Sequence, residues 1–279
     1  MTPPQWTCFY INSIRSLASL AMFYVTFILW AAISLPLLLG PKRWLWKSVL
    51  LGSRYLMFII KCLGITVQVR GTENIPALGG CILAMKHQSS METLLLLHLL
   101  RRKPVFVMKR ELMWLPLFGW FAKKVDMIGL KQGERRPKAV QKFFNKVKKI
   151  MDAERMMVVF PEGERRPIGA EPHYRRGVSH IYHKLGVTVI PVALNTGFFW
   201  PRHPLRIHPG KAIVEFLPAI APGLNQKDFQ KALVKSIEEG SDRLALETLL
   251  SPNPPPLPKL GQSYAEKLIS TTTSPISTC

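Results

Sequence analysis

A chain of 279 residues can bury a sizeable core unaided. Its 38 Lys and Arg against 17 Asp and Glu leave a formal net charge of +21, a surface suited to nucleic acid, anionic lipid headgroups or phosphorylated substrates without choosing among them. The four cysteines, Cys8, Cys62, Cys81 and Cys279, are scattered, which excludes a disulfide framework or a clustered metal site and fits a reducing surrounding.

From Ser16 to Pro41 there are 26 residues without a charge, about 39 Å of helix against a hydrocarbon core of ~30 Å. The run is too long for a signal peptide and lacks a small-residue cleavage pattern, so it reads as a retained membrane segment. Arg15 precedes it and Lys42, Arg43 and Lys47 follow, an asymmetry that places everything downstream in the cytoplasm. Pro36 permits a bend, so a helix that dips in and returns is the alternative to a full crossing. Over 44–63 the cations Lys47, Arg54 and Lys61 recur every seven residues on an otherwise apolar segment opened by Trp44 and Trp46. That is the pattern of a helix lying in the membrane interface, or of one packed on the domain core with a solvated stripe.

Beyond it, apolar β-rich runs at 65–70, 81–85, 105–108, 125–128, 156–160, 187–194 and 212–217 alternate with helical patterns at 90–101, 137–153, 178–185 and 226–249. The alternation predicts an α/β domain with a mixed, largely parallel sheet flanked by helices. The expected organisation is an N-terminal membrane and interfacial helix pair at 1–64, one α/β domain at 65–250, and a Pro/Ser/Thr-rich tail at 251–279 with no fold of its own. The helix at 137–153 carries Val140, Phe143, Phe144, Val147 and Ile150 on one face and Lys138, Lys142, Lys146 and Lys149 on the other, which reads as a solvated face.

Two loops carry chemistry, both at the carboxyl ends of predicted strands, where ligands bind in such sheets. In Lys86-His87-Gln88-Ser89-Ser90-Met91-Glu92 an imidazole precedes a carboxylate by five residues. The carboxylate can fold back to fix the tautomer of His87 and make its other nitrogen a better base. Ser89 and Glu92 also form a capping box for the following helix, and spacing alone leaves both readings open. After the strand at 156–160 comes Pro161-Glu162-Gly163-Glu164-Arg165-Arg166, where glycine allows close approach and the arginines offer planar forks to a phosphate.

Taken together, these stretches resemble the glycerolipid acyltransferases, and specifically the bacterial 1-acylglycerol-3-phosphate acyltransferase family. That family is marked by Asn-His-Gln-Ser-x-x-Asp, Phe-Pro-Glu-Gly-Thr-Arg and an Ile-Pro-Val block. Here Phe160 to Arg165 and Val189-Ile190-Pro191-Val192 follow the histidine stretch in that order. Lys109-Arg110-Glu111-Leu112 with Leu115 to Gly119, and Tyr174-Arg175-Arg176-Gly177, resemble further family segments. The resemblance covers about 65–217. Three positions depart from the pattern: Glu92 for Asp, Glu164 for Thr, and Lys131 near where the family carries an arginine.

The resemblance implies a membrane-bound acyltransferase with His87 as base and Glu92 as its orienting carboxylate. Lys109, Lys131 and Arg165 would bind the substrate phosphate, and Glu162 with Gly163 would shape that loop. Backbone amides near Ser89 would serve the oxyanion. It implies no cofactor and no metal; the acyl donor is a substrate, acyl-coenzyme A or acyl-carrier protein. The implied partners are membrane lipids and a lysophospholipid, with no nucleic acid, at the cytoplasmic (inner) membrane. His180 and His183 lack the carboxylate partners a metal site needs. Glu164 motivates an alternative acceptor such as a lyso-ornithine lipid. The rival from another class is a non-catalytic, basic membrane-binding protein in which Glu92 only caps.

Overall fold

The computed structural model describes residues 5–100, 102–202 and 207–273, without the side chains of residues 5–16, 19, 272 and 273. Its centre is a seven-stranded sheet in the order β1-β7-β6-β2-β5-β3-β4. The strands are β1 (Ile65–Arg70), β2 (Cys81–Met85), β3 (Val105–Lys109), β4 (Ile128–Leu130), β5 (Met156–Val159), β6 (Val189–Leu194) and β7 (Gly210–Phe216). Every pairing is parallel except β6 with β7. A mixed, largely parallel α/β sheet is therefore present as expected.

β2 lies between β5 and β6, and all five of its residues are buried. A strand covered on both faces has no solvent side, which is why Cys-Ile-Leu-Ala-Met is apolar without alternation. Its side chains still alternate in direction. Cys81, Leu83 and Met85 join one core with α1 (Gln5–Ile33), α2 (Lys42–Cys62), α3 (Met91–Leu99) and α4 (Phe118–Lys124). Ile82 and Ala84 join the other, with α5 (Pro137–Asp152), α6 (Gly177–Leu185) and α7 (Gln226–Leu249).

α1 turns through a 3-10 segment, Leu35–Leu38, and α2 runs back along it. The Ser34 and Ser48 hydroxyls bond at 2.7 Å and the Trp30 indole donates to Ser48 O. Gly52 lets the Trp30 ring close onto α2, since a Cβ there would meet it at 2.9 Å. Among the described residues no helix is long and apolar enough to cross a membrane, and the chain reverses near Pro36. On α2, Leu45, Leu56, Ile59 and Ile60 are buried in the core while Lys47, Arg54 and Lys61 are exposed beside Leu51, Tyr55 and Phe58. Packing on the core and an exposed basic, apolar-flanked stripe thus coexist on one helix. The side chain of Arg15 lies outside the described residues.

Several expectations need correction. The fourth strand begins at Ile128, not at residue 125, because Val125 caps α4 and Asp126 turns through a left-handed φ of 70°. α4 itself is seven residues long and too short to show a helical period. Lys146 does not join the solvated stripe of α5: its ammonium donates to Met127 O, and burial lowers its pKa. The tail forms α8 (Lys259–Thr273), fastened by Tyr264 to Asp242 of α7 and by Gly169 packing against Leu260. Residues 274–279 lie outside the described residues.

Candidate active site

β2 and β5 run side by side in register, Ala84 opposite Val159, so their following loops leave the same edge of the sheet together. The loops then bond to each other through His87. Its amide donates to Glu162 Oε2 at 2.8 Å, and its carbonyl accepts from the Arg166 amide at 2.7 Å. The imidazole stacks on Phe160, ring centres 3.9 Å apart. The second loop thereby fixes the main chain and ring plane of the residue supplied by the first.

Glu92, on the first turn of α3, is fully buried. Its Oε2 lies 2.6 Å from His87 Nδ1, and its Oε1 accepts from the amides of Gln88 (2.8 Å) and Ser89 (2.7 Å) and from the Thr196 hydroxyl (2.7 Å). Four donors converge on two oxygens, the pattern of a carboxylate acting only as an acceptor. Nδ1 therefore carries the ring proton, and Nε2 is the nitrogen left to act as base. The Glu92 half of the cap and the dyad, open alternatives from spacing, are the same carboxylate using one oxygen for each, while the Ser89 hydroxyl accepts from the Met91 amide and not from that of Glu92. Of the amides near Ser89 expected to serve an oxyanion, those of Gln88 and Ser89 are taken by Glu92 and that of Met91 donates to Ser89 Oγ.

Behind this loop sits a second charged group. Lys86 Nζ pairs with Glu238 Oε2 of α7 at 2.6 Å, and the Tyr174 hydroxyl donates to the other Glu238 oxygen. Burial, and then the Glu238 charge, push the Tyr174 hydroxyl well above its ordinary range. Glu162 is 2 % exposed. Its burial pushes its carboxyl up to about 7, against the His87 amide and the Lys86 charge, which pull it down; Glu238 and Glu92 add to the upward push. Gln88 is tied by Oε1 to the amide of Gly197, where a Cβ would come within 2.9 Å of the Gln88 side chain.

A cavity of about 470 Å³ opens in front of the imidazole. Lys109, from the end of β3, and Arg165 line it with His87, Phe160 and Gly163. Arg165 also reaches Ser90 Oγ. Gly163 has a φ of 75°, and a Cβ there would strike Arg175 Nε at 2.8 Å, so glycine is required both by the turn and by the cation above it. Glu162 does not line the cavity; it holds the His87 amide. Lys131 is exposed and is not part of the lining, where its neighbour Gln132 takes its place and donates to Gly163 O. Arg175 and Arg202 do line it.

The sequence reading assigned no role to Thr196, Glu238, Lys86 or Arg202. Thr196 had one usable signal, its position just beyond β6, the other strand flanking β2. Glu238 had none, being one acidic residue among several on a long helix.

Comparison with known proteins agrees with this geometry. A model of the acyltransferase family matches residues 66–195. The 1-acyl-sn-glycerol-3-phosphate acyltransferase of Pseudomonas aeruginosa is 33% identical over 159 residues, 56% of this chain and 60% of that relative. The chain thus spans about 60% of that relative's length. The enzyme of the same name from Cocos nucifera is 25% identical over 222 residues, 77% of this chain and 70% of its own. In fold, the chain is similar to the crystal structure of the 1-acyl-sn-glycerophosphate acyltransferase PlsC from Thermotoga maritima, with TM-score 0.69, 23% identity, and coverage of 84% of this chain and 97% of that one. The ordered motifs that meet at His87 lie within the stretch matched by the acyltransferase family model, and over that stretch the chain is similar to the 1-acyl-sn-glycerol-3-phosphate acyltransferases.

Proposed function

We propose that the protein transfers an acyl group from a thioester to the sn-2 hydroxyl of a 1-acylglycerol-3-phosphate, giving phosphatidic acid for phospholipid synthesis. The observation that carries this reading is the His87–Glu92 dyad, 2.6 Å apart, set on the wall of a cavity that also holds Arg165 and Lys109. Nε2 of His87 takes the proton of the acceptor hydroxyl as its oxygen bonds to the thioester carbonyl carbon. When the tetrahedral adduct collapses, the carbon–sulfur bond breaks and His87 returns the proton to the departing thiolate. Glu92 holds the imidazole and offsets the charge it gains. Lys109 and Arg165, with Arg175 and Arg202 beside them, bind the phosphate, and the apolar wall with Phe118 and Phe160 takes hydrocarbon. The residues present call for no metal or cofactor in these steps.

The lysolipid comes from a bilayer on which the protein rests by its exposed apolar side chains, among them Val25 and Ile28 of α1, Leu51 and Phe58 of α2, and Trp114 and Trp120 beside the cavity. This is monotopic attachment to the inner membrane with the sheet on the cytoplasmic side. Glu164 favours a second acceptor. It lines the cavity, its side chain is 45% exposed, and its ion pair with Arg166 is long at 3.8 Å. A negative charge therefore stays near the headgroup, as an amine-bearing lysolipid such as a lyso-ornithine lipid would use.

The test is acyl transfer by membranes carrying wild type, His87→Ala or Glu92→Gln, with lysophosphatidate and lyso-ornithine lipid as acceptors. Loss of about 10³-fold or more in His87→Ala, with the protein still folded, supports the reading. Activity that survives His87→Ala, or transfer to neither acceptor, refutes it.

A further inference from the structure

A second cavity, of about 370 Å³, lies behind the histidine loop and shares no lining residue with the one in front of His87. Lys86 and Gln88, on either side of His87 in the chain, form one wall, and the stretch 167–172 forms another. Two helices supply the rest. Glu238, Ser241, Asp242 and Ala245 recur at three and four residues on α7, and Leu260, Ser263, Tyr264 and Lys267 do so on α8. Each helix therefore turns a single stripe inward, and the bond from Tyr264 to Asp242 fastens the two stripes together.

Hydrogen-bonding capacity is left over on these walls. Ser241 is 3% exposed and its hydroxyl has no partner among the described residues, a state that native interiors rarely leave uncompensated. Gln88 is 7% exposed. The Gly197 amide can only donate, which fixes Gln88 Oε1 toward it and leaves Nε2 without a partner among the described residues. Lys86 uses one of its three donors, on Glu238. Asp242 accepts from Tyr264 through Oδ1, and its Oδ2 is unbonded among the described residues.

The charges bound what fits. Lys86 and Lys267 face Glu171, Glu238 and Asp242, so a lone anion meets three carboxylates and a lone cation meets two ammonium groups. Lys86 and Glu238 pair with each other, whereas Asp242, Glu171 and Lys267 have no ion-pair partner among the described residues. The space equals that of roughly a dozen waters at ~30 Å³ each. Ile168, Phe198 and Ala245 make part of the lining apolar, a part that water alone would leave wetted.

We propose that this cavity binds a small zwitterion, an α-amino carboxylate with an apolar side chain. Its carboxylate takes the donors of Lys86, Gln88 and Ser241, and its ammonium takes the free oxygen of Asp242. Glu171, at the exposed rim, adds attraction for the ammonium. The proposal is independent of the acyl-transfer reading, since none of these residues lines the cavity in front of His87.

The experiment is isothermal titration calorimetry of the full chain with leucine and phenylalanine. 3-Phenylpropionate and phenethylamine serve as probes that each lack one charged group, and inorganic phosphate as a plain anion. The expected result is one saturable site with Kd below ~1 mM for one or both amino acids, and single-charge probes weaker by about tenfold or more. Asp242→Asn keeps an acceptor for Tyr264, and Ser241→Ala removes a hydroxyl that bonds to nothing in the chain. Both variants keep the Tm of wild type and weaken amino-acid binding about tenfold. Glu171→Gln, on the exposed rim, weakens it about twofold, an effect that fades as salt is raised. No saturation by ~10 mM with either amino acid overturns the proposal and leaves a hydrated cavity. Equal binding of phenylalanine and a single-charge probe overturns the two-ended assignment, and tighter binding of phosphate overturns it in favour of an anion site. Unchanged affinity in both Asp242→Asn and Ser241→Ala puts the amino acid elsewhere on the protein and overturns it as well.

Discussion

Replacing Lys86 by Met removes the cation that pairs with Glu238 behind the histidine loop. The pair is nearly dry, with side chains 11% and 19% exposed. Removing one partner of a buried ion pair costs about 3–5 kcal/mol; partial exposure of Glu238 and its remaining bond from Tyr174 reduce this to about 2–3 kcal/mol, or roughly 5–10 °C in Tm for a domain of this size. Glu238→Gln keeps an acceptor for Tyr174, so the double variant Lys86→Met/Glu238→Gln recovers to within about 1 kcal/mol of wild type. The pH profile separates electrostatics from packing. Lys86 lowers the pKa of Glu162 and Glu238 raises it. The pH window over which stability falls with Glu162 ionisation therefore moves to higher pH in Lys86→Met and to lower pH in Glu238→Gln. Urea denaturation between pH 5 and pH 9 provides both readings. Windows that move the same way in the two single variants, or a double variant no more stable than Lys86→Met, refute the reasoning.

Two further outcomes follow from the same loops. Glu162 has its carboxyl raised to about 7 in the folded chain from an ordinary 4.5, so the folded state holds the extra proton between these values and stability falls as pH rises through that window. Glu162→Gln, which still accepts from the His87 amide, is more stable than wild type by about 2–3 kcal/mol at pH 8 and no more stable below pH 4.5, as measured by unfolding at the two pH values; a pH-independent difference contradicts the assignment. Thr196→Val removes one of the four donors to Glu92 at constant volume; kcat falls about 3- to 10-fold with KM little changed and about 1 kcal/mol of stability lost. An unchanged kcat shows that the other three donors suffice.

Most strands of the sheet were legible as short β-rich runs between turn residues, β4 being misplaced, and β2, apolar throughout, also announced that it is covered on both faces. The dyad was legible through its five-residue spacing and the motifs around it. Spacing did not say whether Glu92 caps or orients, because both demands are local and the carboxylate has an oxygen for each. What stayed hidden depends on contacts distant in sequence. Thr196 is 104 residues from Glu92, and Glu238 meets Lys86 across 152. Lys131 carries the right charge but is exposed, while Arg175 reaches the cavity from a stretch marked only by its resemblance to a family segment and Arg202 from one that carries no signal. α8 was missed for a different reason: Pro-rich composition at 251–258 marks a break before a helix as well as it marks disorder.

Both oxygens of Glu92 are occupied, one by the imidazole and the other by the start of α3 and the residue after β6. The carboxylate is thus a joint in the scaffold as well as a part of the proposed chemistry. A chain in which α3 has not docked has no oriented base, and a chain with an oriented base has α3 in place. Partly folded forms should therefore be silent, not sluggish. Loss of activity on heating and loss of α3 protection from hydrogen exchange should follow a single curve. Under the proposed reaction, in which a loosened form would spend thioesters on water, this linkage confines acyl transfer to the intact molecule.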